Sequence, residues 1–234
     1  MKNRIIAVLP AYNEEGRVGK AVLALKSSDK ISKIFVVNDG SSDRTGEEAK
    51  KAGAYVFEIK KNLGKGRALR EFFLSALAEE TLKEDDVILL IDADTAQTSV
   101  AAAKLAAKLV EIGKGHFVVA VLPSPLKKGG FGLVKNLARR IIEATTGVRL
   151  KAPLSGQRAL FWDDLKKVLR AFNYGYGLEV AMNYLLLKNG LLPVEVQVEM
   201  RHRETGRNLK DFYHRGRQFA DVIRVVKDVY LGKL

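Results

Sequence analysis

The stretch Val87-Ile88-Leu89-Leu90-Ile91-Asp92-Ala93-Asp94 constrains the fold most. An apolar run this short, bounded by Glu84-Asp85-Asp86 and by Thr95, reads as a buried central strand. It ends in two carboxylates with one residue between them. In an open α/β sheet, ligands bind outside the carboxyl ends of the strands. Two acids held there repel each other unless a cation compensates. A hard divalent ion, Mg²⁺ or Mn²⁺, bridged to phosphate oxygens is the natural compensation. A helix cap at Asp94 and a solvated Asp92 would produce the same short pattern.

The segments around this strand alternate in type. Arg4–Leu9, Lys33–Asn38, Tyr55–Ile59 and His116–Leu122 read as strands. Between them, helical spacing recurs at Val18, Ala21, Val22 and Leu25, over Thr45–Gly53, at Leu69, Phe72, Phe73 and Leu77, and over Ser99–Ile112. Such alternation predicts an α/β fold with a mostly parallel sheet covered by helices on both faces. After Pro123 the rhythm changes. Ser124–Gly130 reads as a loop, and Leu133, Val134, Leu137, Ala138, Ile141 and Ile142 mark an amphipathic helix. Ser155–Phe161 reads as a strand and Leu178–Lys188 as a helix. Leu191–Met200 alternates, with Val194, Val196 and Val198 on one face. In Leu209–Tyr230, Phe212, Phe219, Val222, Ile223, Val226 and Val229 share one side of a helix. No linker interrupts the chain, so residues 1–234 read as one domain, with a nucleotide-binding half over 1–123 and an acceptor-side half over 124–234.

Composition narrows the class. The chain has 234 residues, no cysteine, and no apolar run long enough to cross a membrane. The reading is a cytoplasmic protein. Its formal net charge of +13 calls for an acidic partner: a nucleotide, a phosphorylated substrate, anionic lipid or nucleic acid. The chain lacks the aromatic pairs of RNA-binding modules, and its acids would repel a phosphate backbone, so nucleic acid is not the expected partner.

In a parallel sheet the loops after successive strands meet at one edge. Asn13, Glu14, Asp39, Lys65, Asp92 and Asp94 would then line one cleft. Asp39 can accept hydrogen bonds from a base N–H, and Lys65 between Gly64 and Gly66 is a point charge suited to phosphate. Each loop alone could be an ordinary turn. A base acceptor, a phosphate cation and a carboxylate pair on successive strand ends together point to an activated nucleotide substrate. A nucleotidyltransferase of similar fold is the alternative. No basic glycine-rich loop follows the first strand directly, which argues against it.

Pro10-Ala11-Tyr12-Asn13-Glu14-Glu15, Val37-Asn38-Asp39-Gly40-Ser41-Ser42-Asp43-Arg44-Thr45, Asn62-Leu63-Gly64-Lys65-Gly66-Arg67 and Asp92-Ala93-Asp94 resemble the nucleotide-sugar half of family 2-type glycosyltransferases with the GT-A fold. The resemblance implies that Pro10, Ala11, Tyr12, Glu14 and Asp39 surround a uridine-type nucleoside. It implies Lys65 near the diphosphate or sugar, Asp92 near the ribose or sugar, and Asp94 on the metal. Pro153-Leu154-Ser155-Gly156-Gln157-Arg158-Ala159, Gly175-Tyr176-Gly177-Leu178-Glu179 and His202-Arg203 resemble the glucosyl-3-phosphoglycerate synthases of glycosyltransferase family 81. This second resemblance implies His202 as a further metal ligand, with Gly130, Ser155, Gly156, Tyr176, Glu179 and Arg203 around donor sugar and acceptor. The chain departs from that family after its glycine loop, where Phe131-Gly132-Leu133 replaces an arginine and a threonine. Asp92, Asp94, Lys65 and Glu179 are the implied catalytic set.

The implied activity is a metal-dependent hexosyl transfer from a nucleotide sugar, a UDP-sugar by the resemblance. Family 2 inverts and family 81 retains the anomeric configuration. The Glu179 and His202 context favours retention. The acceptor stays open between a phosphoglycerate-like acid and a polyprenyl phosphate. The basic, amphipathic last helix leaves three destinations open: the core, a second subunit in a homodimer, or the surface of an anionic membrane.

Overall fold

The computed structural model describes residues 3–93, 98–123, 131–199 and 209–234, with the side chains at 98–99, 131–133 and 209–218 outside that description. A seven-stranded sheet forms the centre. Its strands in chain order are β1 (Ile5–Ala11), β2 (Lys33–Asp39), β3 (Tyr55–Ile59), β4 (Val87–Leu90), β5 (His116–Val121), β6 (Arg158–Phe161) and β7 (Leu192–Gln197). Across the sheet they run β3-β2-β1-β4-β6-β5-β7. All neighbours are parallel except β6, which is antiparallel to both β4 and β5.

The interior strands are apolar on both sides because both sides are covered. On β1, Ile5, Ala7 and Leu9 face one layer and Ile6 and Val8 the other. The first layer holds α1 (Val18–Lys26), α2 (Thr45–Ala52) and α4 (Thr98–Ile112). The second holds α3 (Lys65–Ala78), α5 (Phe131–Thr146), α7 (Leu178–Lys188) and α8 (Leu209–Tyr230). A short helix, α6 (Trp162–Lys167), and a 3-10 segment, Leu169–Gly177, join β6 to α7. Phe73 of α3 stacks on Trp162 at 5.6 Å between ring centres and also meets Phe172 at 5.6 Å. That aromatic knot binds the two halves of the chain.

Several details differ from the sequence reading. Strand β4 closes at Leu90, so Asp92 stands two residues beyond it. The strand expected from Ser155 begins at Arg158, because Ser155 to Gln157 turn to approach Asp92. Leu77 is 45% exposed: the packing face of α3 ends on Ala76, one residue around the helix. On α8 the buried line is Val222, Val225 and Val229, spaced three and four apart, whereas Phe219 and Ile223 stay 46% and 42% exposed. This buried line packs on the core, one of the three destinations left open above. Among the described residues no helix is long and apolar enough to cross a membrane.

Candidate active site

Loops leaving β1 and β2 are laced together. The Asn13 amide donates to Ser41 Oγ at 3.0 Å, and Ser42 N donates to Asn13 Oδ1 at 2.9 Å. Glu14 N donates to Thr45 Oγ1 at 2.8 Å. The Glu14 carboxylate itself is ion-paired with Arg17. Tyr12, the residue after β1, is 47% exposed.

Asp39 is buried at the end of β2. Its Oδ1 accepts from Leu63 N at 2.7 Å and its Oδ2 from Gly64 N at 2.8 Å. Burial raises its pKa, and the two amides pull the other way. Each oxygen keeps a second lone pair for a ligand N–H. Asp39 therefore anchors the loop that enters α3. Gly64 takes φ +88°, which lets the chain turn directly into the helix at Lys65.

Lys65, first residue of α3, reaches across the sheet edge. Its Nζ lies 2.7 Å from Asp92 Oδ1 and 3.2 Å from Glu179 Oε1. Burial lowers its pKa, but the two carboxylates outweigh burial and hold the ammonium charged. Asp92 is fixed from a second direction. Gln157, fully buried, donates from Nε2 to Asp92 Oδ2 at 2.7 Å and accepts from Asp92 N through Oε1 at 3.0 Å. Gly156 makes this approach possible: a Cβ there would stand 2.7 Å from Lys65 Nζ and 2.9 Å from Asp92 Oδ2.

Behind them lies a buried cation. Arg158 is 1% exposed. It donates to Ser155 O at 2.6 Å and to Asn183 Oδ1 at 3.1 Å, and Asn183 Nδ2 donates to Pro153 O at 2.8 Å. Burial pulls its pKa down to about 10, against the opposing pull of Glu179 and Asp92. Arg158 Nε and Ser155 Oγ are buried without a hydrogen-bond partner among the described residues. Pro10, Lys65, Asp92, Gly156, Arg158 and Glu179 share one pocket. Two cations and two carboxylates thus balance in it.

Of the residues named from sequence, the fold brings Lys65, Asp92, Gly156 and Glu179 into direct apposition, with Pro10 on the same wall. Tyr176 sits on the turn just before α7, its backbone N–H given to Asp221 Oδ2 at 2.9 Å. Gly130, Asp94, His202 and Arg203 lie outside the described residues. Among the described residues no cluster of three His, Asp or Glu side chains could hold a metal. Asp92 is bonded to both Lys65 and Gln157. Sequence reasoning assigned no role to Gln157, Arg158 or Asn183. Their signal was an amide and a guanidinium opening an apolar strand, which is costly unless both are bonded.

The mostly parallel seven-stranded sheet with helices on both faces is the fold of GT-A glycosyltransferases. The chain belongs to glycosyl transferase family 2, whose model matches residues 6–171. Its relatives include glycosyltransferase AglJ of Haloferax volcanii, 25% identical over 95% of this chain and 72% of that protein. They also include the glucosyl-3-phosphoglycerate synthase of Mycolicibacterium smegmatis, 30% identical over 76% of this chain and 62% of that protein. Among solved structures, the glucosyl-3-phosphoglycerate synthase of Mycobacterium tuberculosis in complex with Mn²⁺, UDP and glucosyl-3-phosphoglycerate superposes with a TM-score of 0.70. At 24% identity it covers 97% of this chain, which fills 80% of that one.

Proposed function

We propose that the chain moves a hexose from a UDP-sugar to a phosphorylated acceptor, with Mg²⁺ or Mn²⁺ held by Asp94 and His202. In this reading residues 1–123 carry the nucleotide and residues 124–234 face the acceptor within one domain. The observation that carries it is the Lys65–Asp92–Glu179 cluster beside the Asp39 loop. A uracil N–H donates to Asp39, Tyr12 stacks on the base, and Pro10, Ala11 and Glu14 close around the nucleoside. The crystallised mycobacterial relative, which holds UDP with Mn²⁺, supports this choice of donor and ion.

Lys65 faces the diphosphate while Asp92 and Glu179 accept hydrogen bonds from sugar hydroxyls. The cluster keeps Lys65 charged at working pH, so positive charge stands ready where negative charge develops on the leaving group. A bound divalent cation supplies further neutralisation of the departing diphosphate. Retention of the anomeric configuration is the stereochemistry proposed, on the family 81 resemblance around Glu179 and His202. Gly130 and Arg203 are assigned to the acceptor, with Ser155, Gly156 and Tyr176 around the sugar.

Calorimetric titration of UDP with and without Mn²⁺ tests the reading. Binding to the native chain strengthens with the ion, and Asp94→Ala removes that gain while leaving the thermal transition in place. Equal UDP affinity with and without Mn²⁺ would overturn the metal assignment.

A further inference from the structure

Helix α8 lies outside the residues matched by the family model, yet it touches the turn that carries Tyr176 and leads into Glu179. Asp221 on α8 accepts the Tyr176 N–H at 2.9 Å. The residue before, Gly175, has φ +54°, and a Cβ there would fall 2.6 Å from Asp221 Oδ2. The residue after, Gly177, would place a Cβ 2.7 Å from Val225 Cγ2 and 2.8 Å from the Asp221 carbonyl oxygen. The turn and the helix are therefore in backbone contact, with Asp221 in the middle.

The other side of the same segment is equally close. A Cβ on Gly66, next to Lys65, would stand 2.6 Å from the Phe172 carbonyl oxygen and 3.6 Å from that of Gly175. The 3-10 segment is held between the start of α3 and the middle of α8. Lys65 leaves one side of this sandwich, and Glu179 leaves the first turn of α7 directly after it. Their 3.2 Å contact depends on where the Gly175–Gly177 turn sits.

We propose that Asp221 is a positioning residue: by holding the Gly175–Tyr176–Gly177 turn against α8, it sets Tyr176 and Glu179 over the donor sugar beside Lys65. The proposal rests on the glycosyl-transfer reading above. Asp221 touches no reacting atom. It acts through the backbone of the turn, because a shift of about 1 Å at a reacting centre is enough to cost ~100-fold in rate. A second contact between α8 and the segment provides the control. Asp228 Oδ2, seven residues further along the helix, accepts from Tyr174 Oη at 2.9 Å, a side-chain contact to the residue before the turn and not to the turn's backbone.

Amide hydrogen exchange at residues 176–179 and turnover of the best nucleotide sugar are measured together in the native chain, Asp221→Ala, Asp221→Asn and Asp228→Ala. In Asp221→Ala, exchange at 176–179 accelerates and kcat falls ~10- to 100-fold, with little change in UDP affinity. Asp221→Asn, which keeps an acceptor oxygen, recovers most of both. Asp228→Ala lowers the melting temperature without changing exchange at 176–179 or kcat. Unchanged exchange in Asp221→Ala overturns the proposal, and so does faster exchange with native kcat. A native chain that turns over no nucleotide sugar sinks the glycosyl-transfer reading instead, and the exchange comparison still decides whether Asp221 holds the turn.

Discussion

One carboxylate, Asp39, closes a loop and is proposed for a second task. It closes the loop before α3 through two backbone amides, and it is assigned to the base. The second job needs the ionised form, yet burial raises its pKa above the ordinary Asp value of about 3.9. UDP binding therefore weakens on acidification with a midpoint above that value, as the folded carboxylate takes up its proton. Asp39→Asn abolishes this pH dependence and weakens binding of UDP more than of pyrophosphate. Calorimetry across pH 4 to 8 checks both statements. Gly156 makes the complementary case beside Lys65 and Asp92. Gly156→Ala drives a methyl group between Lys65 and Asp92, and kcat falls by ~100-fold or more while the circular dichroism spectrum is kept.

Strand β6 is the element that assembles the site, and its direction is the reason. Being antiparallel to β4, it starts where β4 ends, so Gly156, Gln157 and Arg158 arrive beside Asp92. A parallel strand in the same slot would carry them to the opposite edge. Arg158 pairs in register with Leu90 on one side and Val119 on the other, which buries its guanidinium beneath the pocket. The aromatic knot steadies this region from below. Phe73→Ala lowers unfolding free energy by about 3–5 kcal/mol in urea titration, the usual cost of emptying a buried aromatic site.

These elements also explain what the sequence discloses. The parallel half was legible because buried strands and amphipathic helices alternate with distinct periods, and because Asp39, Lys65 and Asp92 follow consecutive strands. The direction of β6 was not, since periodicity shows burial and carries no sense of direction. For the same reason the hold of Gln157 on Asp92 was invisible. On α8 the apolar positions suggested one stripe. Which part of it is covered depends on how the helix sits on the 3-10 segment, and Val225, absent from the expected stripe, proved fully buried.

At the scale of the whole molecule, charge and site pull in different ways. The chain carries a net +13, while the described pocket balances Lys65 and Arg158 against Asp92 and Glu179. Long-range attraction for a dianionic donor thus comes from the general excess of lysine and arginine, and the pocket provides orientation. Attraction of that kind is screened once the Debye length shrinks to about 3 Å near 1 M salt. The KM for the nucleotide sugar rises several-fold between low and high salt while kcat changes little. Initial rates at two ionic strengths read this directly.

Under the proposed function, this pocket cleaves the bond between sugar and nucleoside diphosphate. A panel of nucleotide sugars, scored for release of free nucleoside diphosphate with Mn²⁺ and with the metal chelated, tests it most directly. Release from a uridine-linked hexose is expected in the presence of Mn²⁺ and is abolished by chelation and by Lys65→Ala. Release that survives both treatments, or none from any donor with any phosphorylated acceptor supplied, would contradict it.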